Sequence, residues 1–287
     1  MNVSKKELKE QEIRTMFITP ALKEKGWEIL KNMREECYFT DGRVIVAGSQ
    51  HSVAEGKKAD YLLYHNGSPI AVVEAKDNKH AVGGGIQQAM DYALILDLKF
   101  AYSSNGDAFL EHDFITGKET ELKLDEFPTE ENLYRRYLDS KNYTPEELQI
   151  VETPYYYDAY SHEPRYYQRI AVDRTVEAIA KGQQRVLVVM ATGTGKTFTA
   201  FQIVHRLKKS GFNRVLYLAD RNILIDQSMS GDFKSFGDKM TKVADHELDS
   251  AFEIHFALYQ QLIDNQADEQ PYKNFMPDFF DLIIVDE

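Results

Sequence analysis

The chain has 287 residues, a formal net charge of −12 and a single cysteine, with 43% hydrophobic and 28% charged residues. This length accommodates two domains, each with its own core, and the composition is that of a globular protein. The acidic balance excludes a generally basic surface for nucleic acid, although it leaves room for a local basic channel, and one cysteine excludes an internal disulfide framework. Without an apolar signal segment or a membrane-length apolar run, we expect a soluble cytoplasmic protein.

Two short helices are predicted at the start of the chain. Ser4 and Glu7 have the spacing of a capping box, which predicts a first helix through about Phe17. Thr19, followed by proline, predicts the start of a second helix. Glu12 lies on the first of these helices, and a solvent-facing charge is its simplest interpretation.

A β-hairpin is the most informative feature of the first half. Residues 58–64 and 70–76 read as strands, and the polar segment between them reads as a turn. The pairing brings Asp60 opposite Glu74, and strand alternation places Glu74 and Lys76 on one face. Two carboxylates and a lysine thus converge at one end of the hairpin. Carboxylates are ligands for Mg²⁺, and a nearby lysine can orient water or offset charge on a phosphate.

The elements after the hairpin complete a small α/β core. A helix is predicted from Ile86 to about Leu98, and on it Gln88 and Tyr92 are four residues apart and share a face. A strand at 100–103 and a further hairpin follow. The order of helix, strand, hairpin, helix and strand is typical of a small nuclease core, and we place the domain boundary near residue 150.

A glycine-rich loop dominates the second half. It follows the apolar run 186–189, predicted to be a strand, and precedes a helix predicted at 198–209. Strand, glycine-rich turn and helix are the context that a phosphate-binding loop requires. Met190 stands where the general pattern has glycine. The residues predicted to bind a nucleoside triphosphate here are Thr192, Gly193, Thr194, Gly195, Lys196 and Thr197.

Strands and helices alternate through the rest of the second half. Strands are predicted at 214–218 and 281–285, with a helix from about Asn222 between them. This alternation predicts a parallel sheet covered by helices. The last strand is followed at once by Asp286 and Glu287, so we expect this chain to be part of a longer protein.

Three features of the second half resemble superfamily 2 helicases, and one of them is the segment 218–221, which resembles motif Ia. Gln168 precedes the loop as in the Q motif, in which a glutamine reads the adenine edge, and Arg165 lies beside it. Asp286 and Glu287 resemble the start of the DExH box. The resemblance implies that Asp286 holds Mg²⁺ together with Thr197, that Glu287 polarises the hydrolytic water, and that residues 151–287 form a first RecA-like domain.

The first half resembles the PD-(D/E)xK nucleases. Asp60, Glu74 and Lys76 would be the catalytic set, with Ala59 in place of a frequent proline. Gln88 and Tyr92 match the Q-x-x-x-Y extension of RecB-like members. Glu12 matches the helix-borne acid that supports the metal site in such enzymes.

A RecB-like nuclease at 1–150 followed by a superfamily 2 motor resembles the R subunit of type I restriction enzymes. The resemblance implies two activities, which are ATP-driven translocation of double-stranded DNA and Mg²⁺-dependent cleavage of phosphodiester bonds. It also implies assembly with methylation and specificity subunits, which recognise the DNA sequence.

Alternative hypotheses remain open on the sequence alone. One is a superfamily 2 helicase or ATPase whose N-terminal domain binds DNA without cutting it, so that Asp60, Glu74 and Lys76 form a structural ion cluster. Another is a type III-like restriction subunit. A third is a nucleotide-dependent interaction module, because the second RecA-like domain that supplies an arginine finger in such motors is absent from this sequence, and the chain alone is not expected to translocate.

Overall fold

The computed structural model describes residues 4–39, 44–47, 50–53, 56–158, 163–244, 249–262, 271–274 and 276–286. The chain forms two compact units that divide between Tyr143 and Thr144. This division precedes the boundary expected near residue 150, because the helix Pro145–Val151 packs against the helix Tyr166–Ala180 of the second unit. In the described part of the chain, no helix combines the length and apolar character needed to cross a membrane.

A continuous helical stretch opens the first unit, where the sequence predicted two separate helices. Helix α1 (Glu10–Ile13) runs into a π-helical segment, Arg14–Ile18, and α2 (Thr19–Glu24) follows without a break. The predicted capping box closes only a 3₁₀ turn at Lys5–Glu7. The prediction of a break at Thr19 was therefore wrong, because the helical chain runs through Thr19 and Pro20, with the π-helical turn directly before them.

Most strands of the first unit form one mixed sheet, in the spatial order β1-β4-β5-β6-β7-β8. Neighbouring strands are antiparallel except for the parallel pair β5 and β6. Strands β2 and β3 pair separately with each other. The elements are β1 (Met33–Phe39), β2 (Val44–Ala47), β3 (Gln50–Val53), β4 (Lys57–His65), β5 (Ser68–Ala75), α3 (Ile86–Leu96), β6 (Phe100–Ser104), β7 (Ala108–Asp113), β8 (Lys118–Lys123) and α4 (Glu130–Lys141).

The β4–β5 hairpin lies in the interior of this sheet and confirms the predicted hairpin. Its ladder pairs Tyr61 with Val73, and a turn at Asn66 and Gly67, both with positive φ, connects the strands. Aromatic and aliphatic residues of β4 to β7 join side chains of α1 and α2 in one core, in which Trp27 is fully buried. The hairpin is therefore rigidly supported on both sides by neighbouring strands.

A parallel sheet forms the centre of the second unit, as the alternating pattern predicted. Its strands follow the order β10-β11-β9-β12, and every neighbouring pair is parallel. The elements are α5 (Pro145–Val151), α6 (Tyr166–Ala180), α7 (Lys196–Lys209), β9 (Val215–Ala219), α8 (Asn222–Ser230), β10 (Met240–Lys242), β11 (Ile254–Leu258), α9 (Tyr259–Leu262) and β12 (Leu282–Val285).

The apolar run before the glycine-rich loop is not a strand of this sheet, which corrects the prediction at 186–189. Leu187 and Val189 are 87% and 86% exposed, whereas Val186 and Val188 are each 38% exposed. An apolar run becomes a strand only where a sheet edge supplies backbone partners. No described strand pairs with this segment, so its hydrophobic sequence alone does not place it in the sheet.

Candidate nuclease and nucleotide sites

Asp60 and Glu74 meet at the end of the β4–β5 hairpin, as the sequence predicted. The main-chain N–H of Asp60 donates to Glu74 Oε1 at 3.2 Å, and the N–H of Ala75 donates to Asp60 Oδ2 at 2.8 Å. Both acids are buried, with exposures of 7% and 1%. Each carboxylate is thus oriented by the backbone of the opposite strand, which fixes the pair more firmly than solvent-exposed side chains would be.

Burial of two neighbouring acids has an electrostatic consequence. Removal from water, followed by the charge of Asp60, raises the pKa of Glu74 well above its usual value of 4.5. Two carboxylates that are buried next to each other repel when both are ionised. The pair therefore favours either a bound proton or a cation.

Lys76 and the predicted helix residues lie beside this pair. Lys76 Nζ donates to Gln88 Oε1 at 3.1 Å, and Gln88 Nε2 donates to the Tyr92 hydroxyl at 3.0 Å. Gly85 permits this close approach of α3, because a Cβ there would lie 3.2 Å from Lys76 Cε and 3.2 Å from Glu74 Cβ. The four-residue spacing of Gln88 and Tyr92 on one helix face thus positions the lysine.

Glu10, rather than the predicted Glu12, shares the electrostatic environment of this site. The Glu12 carboxylate accepts a hydrogen bond from the Lys9 N–H at 2.8 Å and so caps its own helix. Partial burial and then the charge of Asp60 raise the pKa of Glu10, while Lys76 lowers it. Residues four apart share a helix face, so Glu10 lies on the face of Arg14, which contacts Asp60. Glu10 is therefore a second candidate for the helix-borne acid, and the role of Glu12 at the metal site stays a prediction.

The residues present fit a magnesium ion. Mg²⁺ is commonly bound by one or two carboxylates and completes its shell with water and phosphate oxygens. Asp60 and Glu74 supply two such carboxylates that are buried together and mutually repulsive. Among the described residues, no group of three or more His, Cys, Asp or Glu side chains is placed to hold a metal. A site that relies on two carboxylates suits Mg²⁺ better than an ion that needs a full protein cage.

The glycine-rich loop in the second unit leads directly into helix α7. Gly193 and Gly195 have φ values of +76° and +83°, and Gly195 is the N-cap residue of the helix. Lys196 and Thr197 are therefore the first residues of the helix, where free N–H groups and the helix dipole favour an anion. Thr192 and Thr194 lie in the loop itself, and the Thr194 N–H donates to the Ala191 carbonyl at 3.3 Å.

Gln168 contacts the loop directly. Its Nε2 donates to the Thr194 carbonyl at 2.8 Å, and its Oε1 accepts from the Arg165 N–H at 2.8 Å. A Cβ on Gly195 would lie 2.4 Å from Gln168 Nε2, so only glycine allows this contact. The Arg165 guanidinium itself bonds the Tyr167 hydroxyl at 3.2 Å on an exposed surface.

Asp286 is linked to the same site through a tyrosine that the sequence did not indicate. The hydroxyl of buried Tyr217, on β9, donates to Asp286 Oδ2 at 2.6 Å. Burial, followed by the hydrogen bond to Asp286, raises the pKa of Tyr217, whereas Ser228 and Thr197 lower it. Glu287, predicted to polarise the hydrolytic water, lies outside the described residues.

Two family descriptions match separate parts of the chain. Residues 48–120 match the family described as type I restriction enzyme R protein N terminus. Residues 161–287 match the family described as type III restriction enzyme, res subunit. The first match covers the hairpin, and the second covers the glycine-rich loop and Asp286.

Individual proteins are similar over nearly the whole chain. The type I restriction enzyme EcoAI endonuclease subunit of Escherichia coli is 46% identical over 98% of this chain and 35% of its own length. The EcoKI endonuclease subunit of Escherichia coli strain K12 is 29% identical, again over 98% of this chain and 29% of its own length. A solved structure described as a fragment of an HsdR subunit of a type I restriction enzyme, from Vibrio vulnificus, superposes with a TM-score of 0.78 at 43% identity. It matches 98% of this chain and 51% of that chain, so this chain spans about a third to a half of these relatives.

Proposed function

Because the chain corresponds to the N-terminal region of a type I restriction enzyme R subunit, we propose that it takes part in ATP-dependent translocation and cleavage of double-stranded DNA. The first unit would cut phosphodiester bonds with Mg²⁺, and the second would be the first RecA-like half of the motor. The observation that carries the proposal is the convergence of Asp60, Glu74 and Lys76 at one end of a buried hairpin. We expect the protein to act in the cytoplasm with methylation and specificity subunits.

In the nuclease site, each residue has a separate task. Asp60 and Glu74 would hold Mg²⁺, which supplies charge stabilisation for a scissile phosphate and a more acidic bound water. Lys76 Nζ would hold or orient the attacking water and offset negative charge that develops on the phosphate oxygens. Gln88 keeps this ammonium group in place through its 3.1 Å contact, and Glu10 adds a third acid near the site.

In the nucleotide site, the start of α7 would bind the triphosphate. Backbone N–H groups between Gly193 and Thr197 would surround the phosphates, and the Lys196 ammonium would reach the terminal ones. Thr197 and Asp286 would hold the Mg²⁺ that accompanies ATP. In the described structure each end of the Gln168 amide makes one hydrogen bond, so one amide N–H and one carbonyl lone pair remain for the adenine edge.

The nuclease proposal is tested by Asp60→Asn in the full-length subunit assembled with its partner subunits. This change keeps the side-chain shape and the hydrogen bond from Ala75 while removing the ligand charge. We expect DNA cleavage to fall by at least about 100-fold, since loss of a group that stabilises the transition state has that effect. Normal cleavage by Asp60→Asn together with normal ATP hydrolysis would show that the first unit does not contain the nuclease site.

A further inference from the structure

Arg14 is a buried cation that contacts Asp60, a metal ligand in the proposed function. Its side chain is 7% exposed, and Nη1 lies 3.2 Å from Asp60 Oδ1 while Nη2 lies 3.4 Å from the Asp60 carbonyl oxygen. Arg14 is the first residue of the π-helical segment Arg14–Ile18. Such segments are rare and occur frequently at functional sites. A buried guanidinium on an irregular helix turn is therefore aimed at the nuclease site.

The contact with Arg14 completes the orientation of the Asp60 carboxylate. Arg14 donates to Oδ1, and the Ala75 N–H donates to Oδ2. A carboxylate offers about four lone-pair positions in total, so a position on each oxygen remains for a cation. Metal ligands in proteins are commonly oriented by such outer hydrogen bonds. Removal of either donor would let the Asp60 carboxylate rotate.

Glu36 also binds the Arg14 guanidinium. The ladder pairs on either side, Glu35 with Tyr61 and Cys37 with Ala59, bring Glu36 opposite Asp60, but Glu36 has a φ of +54°. This left-handed conformation is unfavourable for a residue with a Cβ and is often retained near functional sites. Its Oε1 accepts from Arg14 Nη1 at 3.1 Å, so the same guanidinium nitrogen bonds Glu36 and Asp60.

The surrounding charges decide whether Arg14 would help or hinder a divalent cation. A lone arginine beside a metal site repels the ion. Here Glu36 at 3.1 Å and Glu35 at 3.9 Å offset the positive charge of Arg14, and Lys58 in turn pairs with Glu36 at 3.2 Å. Because Glu36 and Glu35 share the guanidinium with Asp60, its repulsion of the ion is reduced and its orienting hydrogen bonds remain.

We propose that Arg14, braced by Glu36, is a positioning residue that orients Asp60 for the divalent cation of the nuclease site. The proposal rests on the proposed function, because it takes Asp60 to be a metal ligand. It predicts that loss of Arg14 weakens cation binding even where the fold is retained.

The test measures Mn²⁺ binding to the full-length subunit without nucleotide, by electron paramagnetic resonance of free Mn²⁺. Arg14→Met removes the guanidinium charge while keeping an apolar chain against the Tyr61 ring, which the guanidinium faces at 5.0 Å. We expect Arg14→Met to weaken Mn²⁺ affinity about tenfold or more, as removal of outer partners of metal ligands does. Arg14→Lys should restore part of the affinity, and Glu36→Gln should weaken it less than Arg14→Met.

The matched control is Arg34→Met, which removes the same charge from β1 at a guanidinium that faces the Tyr64 ring at 5.3 Å. It should bind Mn²⁺ as the wild type does. In cleavage assays of the assembled enzyme, excess Mg²⁺ should restore activity to Arg14→Met but not to Asp60→Asn, because only the former retains both carboxylates.

The outcomes separate the positioning role from the metal site itself. If Asp60→Asn leaves Mn²⁺ binding unchanged, the proposed metal site is wrong. If Asp60→Asn abolishes binding while Arg14→Met binds as the wild type or more tightly, the positioning role is overturned, and tighter binding identifies Arg14 as a competing cation. If Arg14→Met does not fold, the Glu36→Gln measurement decides, and unchanged affinity there overturns the proposal.

Discussion

The two candidate magnesium sites of this chain are built in different ways. In the first unit, Asp60 and Glu74 lie on adjacent strands of one hairpin, and each carboxylate is oriented by a backbone N–H of the opposite strand. In the second unit, Thr197 lies in the first turn of α7 and Asp286 follows β12 far along the chain, where the Tyr217 hydroxyl donates to it. The hairpin site therefore depends on local pairing, whereas the nucleotide site depends on the assembly of a sheet from distant segments.

The largest effect is expected at the start of α7. Lys196→Ala removes the ammonium group that would stabilise the terminal phosphates, so ATP hydrolysis by the assembled enzyme should fall by at least about 100-fold. Thermal unfolding of the first unit should not change, since Lys196 belongs to the second unit. Steady-state ATP hydrolysis measures the effect, and a rate near that of the wild type would remove the loop from the proposed site.

A matched pair on α1 tests whether Glu10 or Glu12 is the helix-borne acid that supports the nuclease site. Glu10→Gln should lower cleavage about tenfold, because it removes an acid that shares the field of Asp60 and Lys76. Glu12→Gln should retain cleavage, since its amide oxygen can still accept the hydrogen bond from Lys9. Cleavage rates at saturating Mg²⁺ compare the two variants. A larger loss of cleavage in Glu12→Gln than in Glu10→Gln would assign the supporting role to Glu12.

Tyr217→Phe tests whether the Tyr217 hydroxyl orients Asp286 in the nucleotide site. It deletes only the hydroxyl that donates to Asp286 at 2.6 Å. We expect ATP hydrolysis to require several-fold more Mg²⁺, a smaller effect than loss of Lys196, because an orienting hydrogen bond is lost while the ligand remains. A titration of ATP hydrolysis with Mg²⁺ measures the shift. Ser228→Ala is a milder companion change. An unchanged Mg²⁺ requirement in Tyr217→Phe would contradict the role of the Tyr217 hydroxyl in orienting Asp286.

The smallest effect is a contrast in pH dependence between the metal-free units. The pKa of Glu74 is raised in the folded state. Its contribution to the free energy of unfolding is therefore complete below pH 4.5, and it is lost as the pH rises through the pKa of the folded state. Burial lowers the pKa of His205 from 6.5 to about 4, so its contribution is present above 6.5 and is lost as the pH falls toward 4. Acidification should therefore raise the free energy of unfolding of the first unit and lower that of the second.

Calorimetry in the presence of a chelator, across this pH range, measures the contrast. In Glu74→Gln, the first unit should no longer lose stability as the pH rises. In His205→Gln, the second unit should no longer lose stability as the pH falls. Equal pH dependence of each variant and the wild type would show that these groups do not couple to folding.

The sequence predicted the parts of the molecule that depend on short-range patterns. Alternation and a turn signal were sufficient for the β4–β5 hairpin, and spacing alone placed Gln88 beside Tyr92. The parallel sheet and the resemblance to type I R subunits were confirmed as well. These features follow from residues that are close in the chain or that occur as ordered motifs.

Contacts between distant segments were not predictable in the same way. Arg14 reaches Asp60, and Tyr217 reaches Asp286, across long separations in sequence that no local period encodes. The helix phase that places Glu10 on the face of Arg14 depends on how the helix packs against the sheet, which no local pattern encodes. The apolar run at 186–189 was wrongly assigned to the sheet, because hydrophobicity indicates a capacity for strand pairing but not the partner.

The independence of the two sites is tested most directly by Lys76→Ala in the assembled enzyme, with cleavage of DNA and hydrolysis of ATP followed in the same reaction. Lys76 contacts Gln88 in the first unit, so its loss should affect only chemistry at the hairpin. We predict that cleavage falls by about 100-fold or more while ATP hydrolysis stays at the wild-type rate. Normal cleavage, or an equal loss of both activities, would contradict a separate nuclease site at Asp60, Glu74 and Lys76.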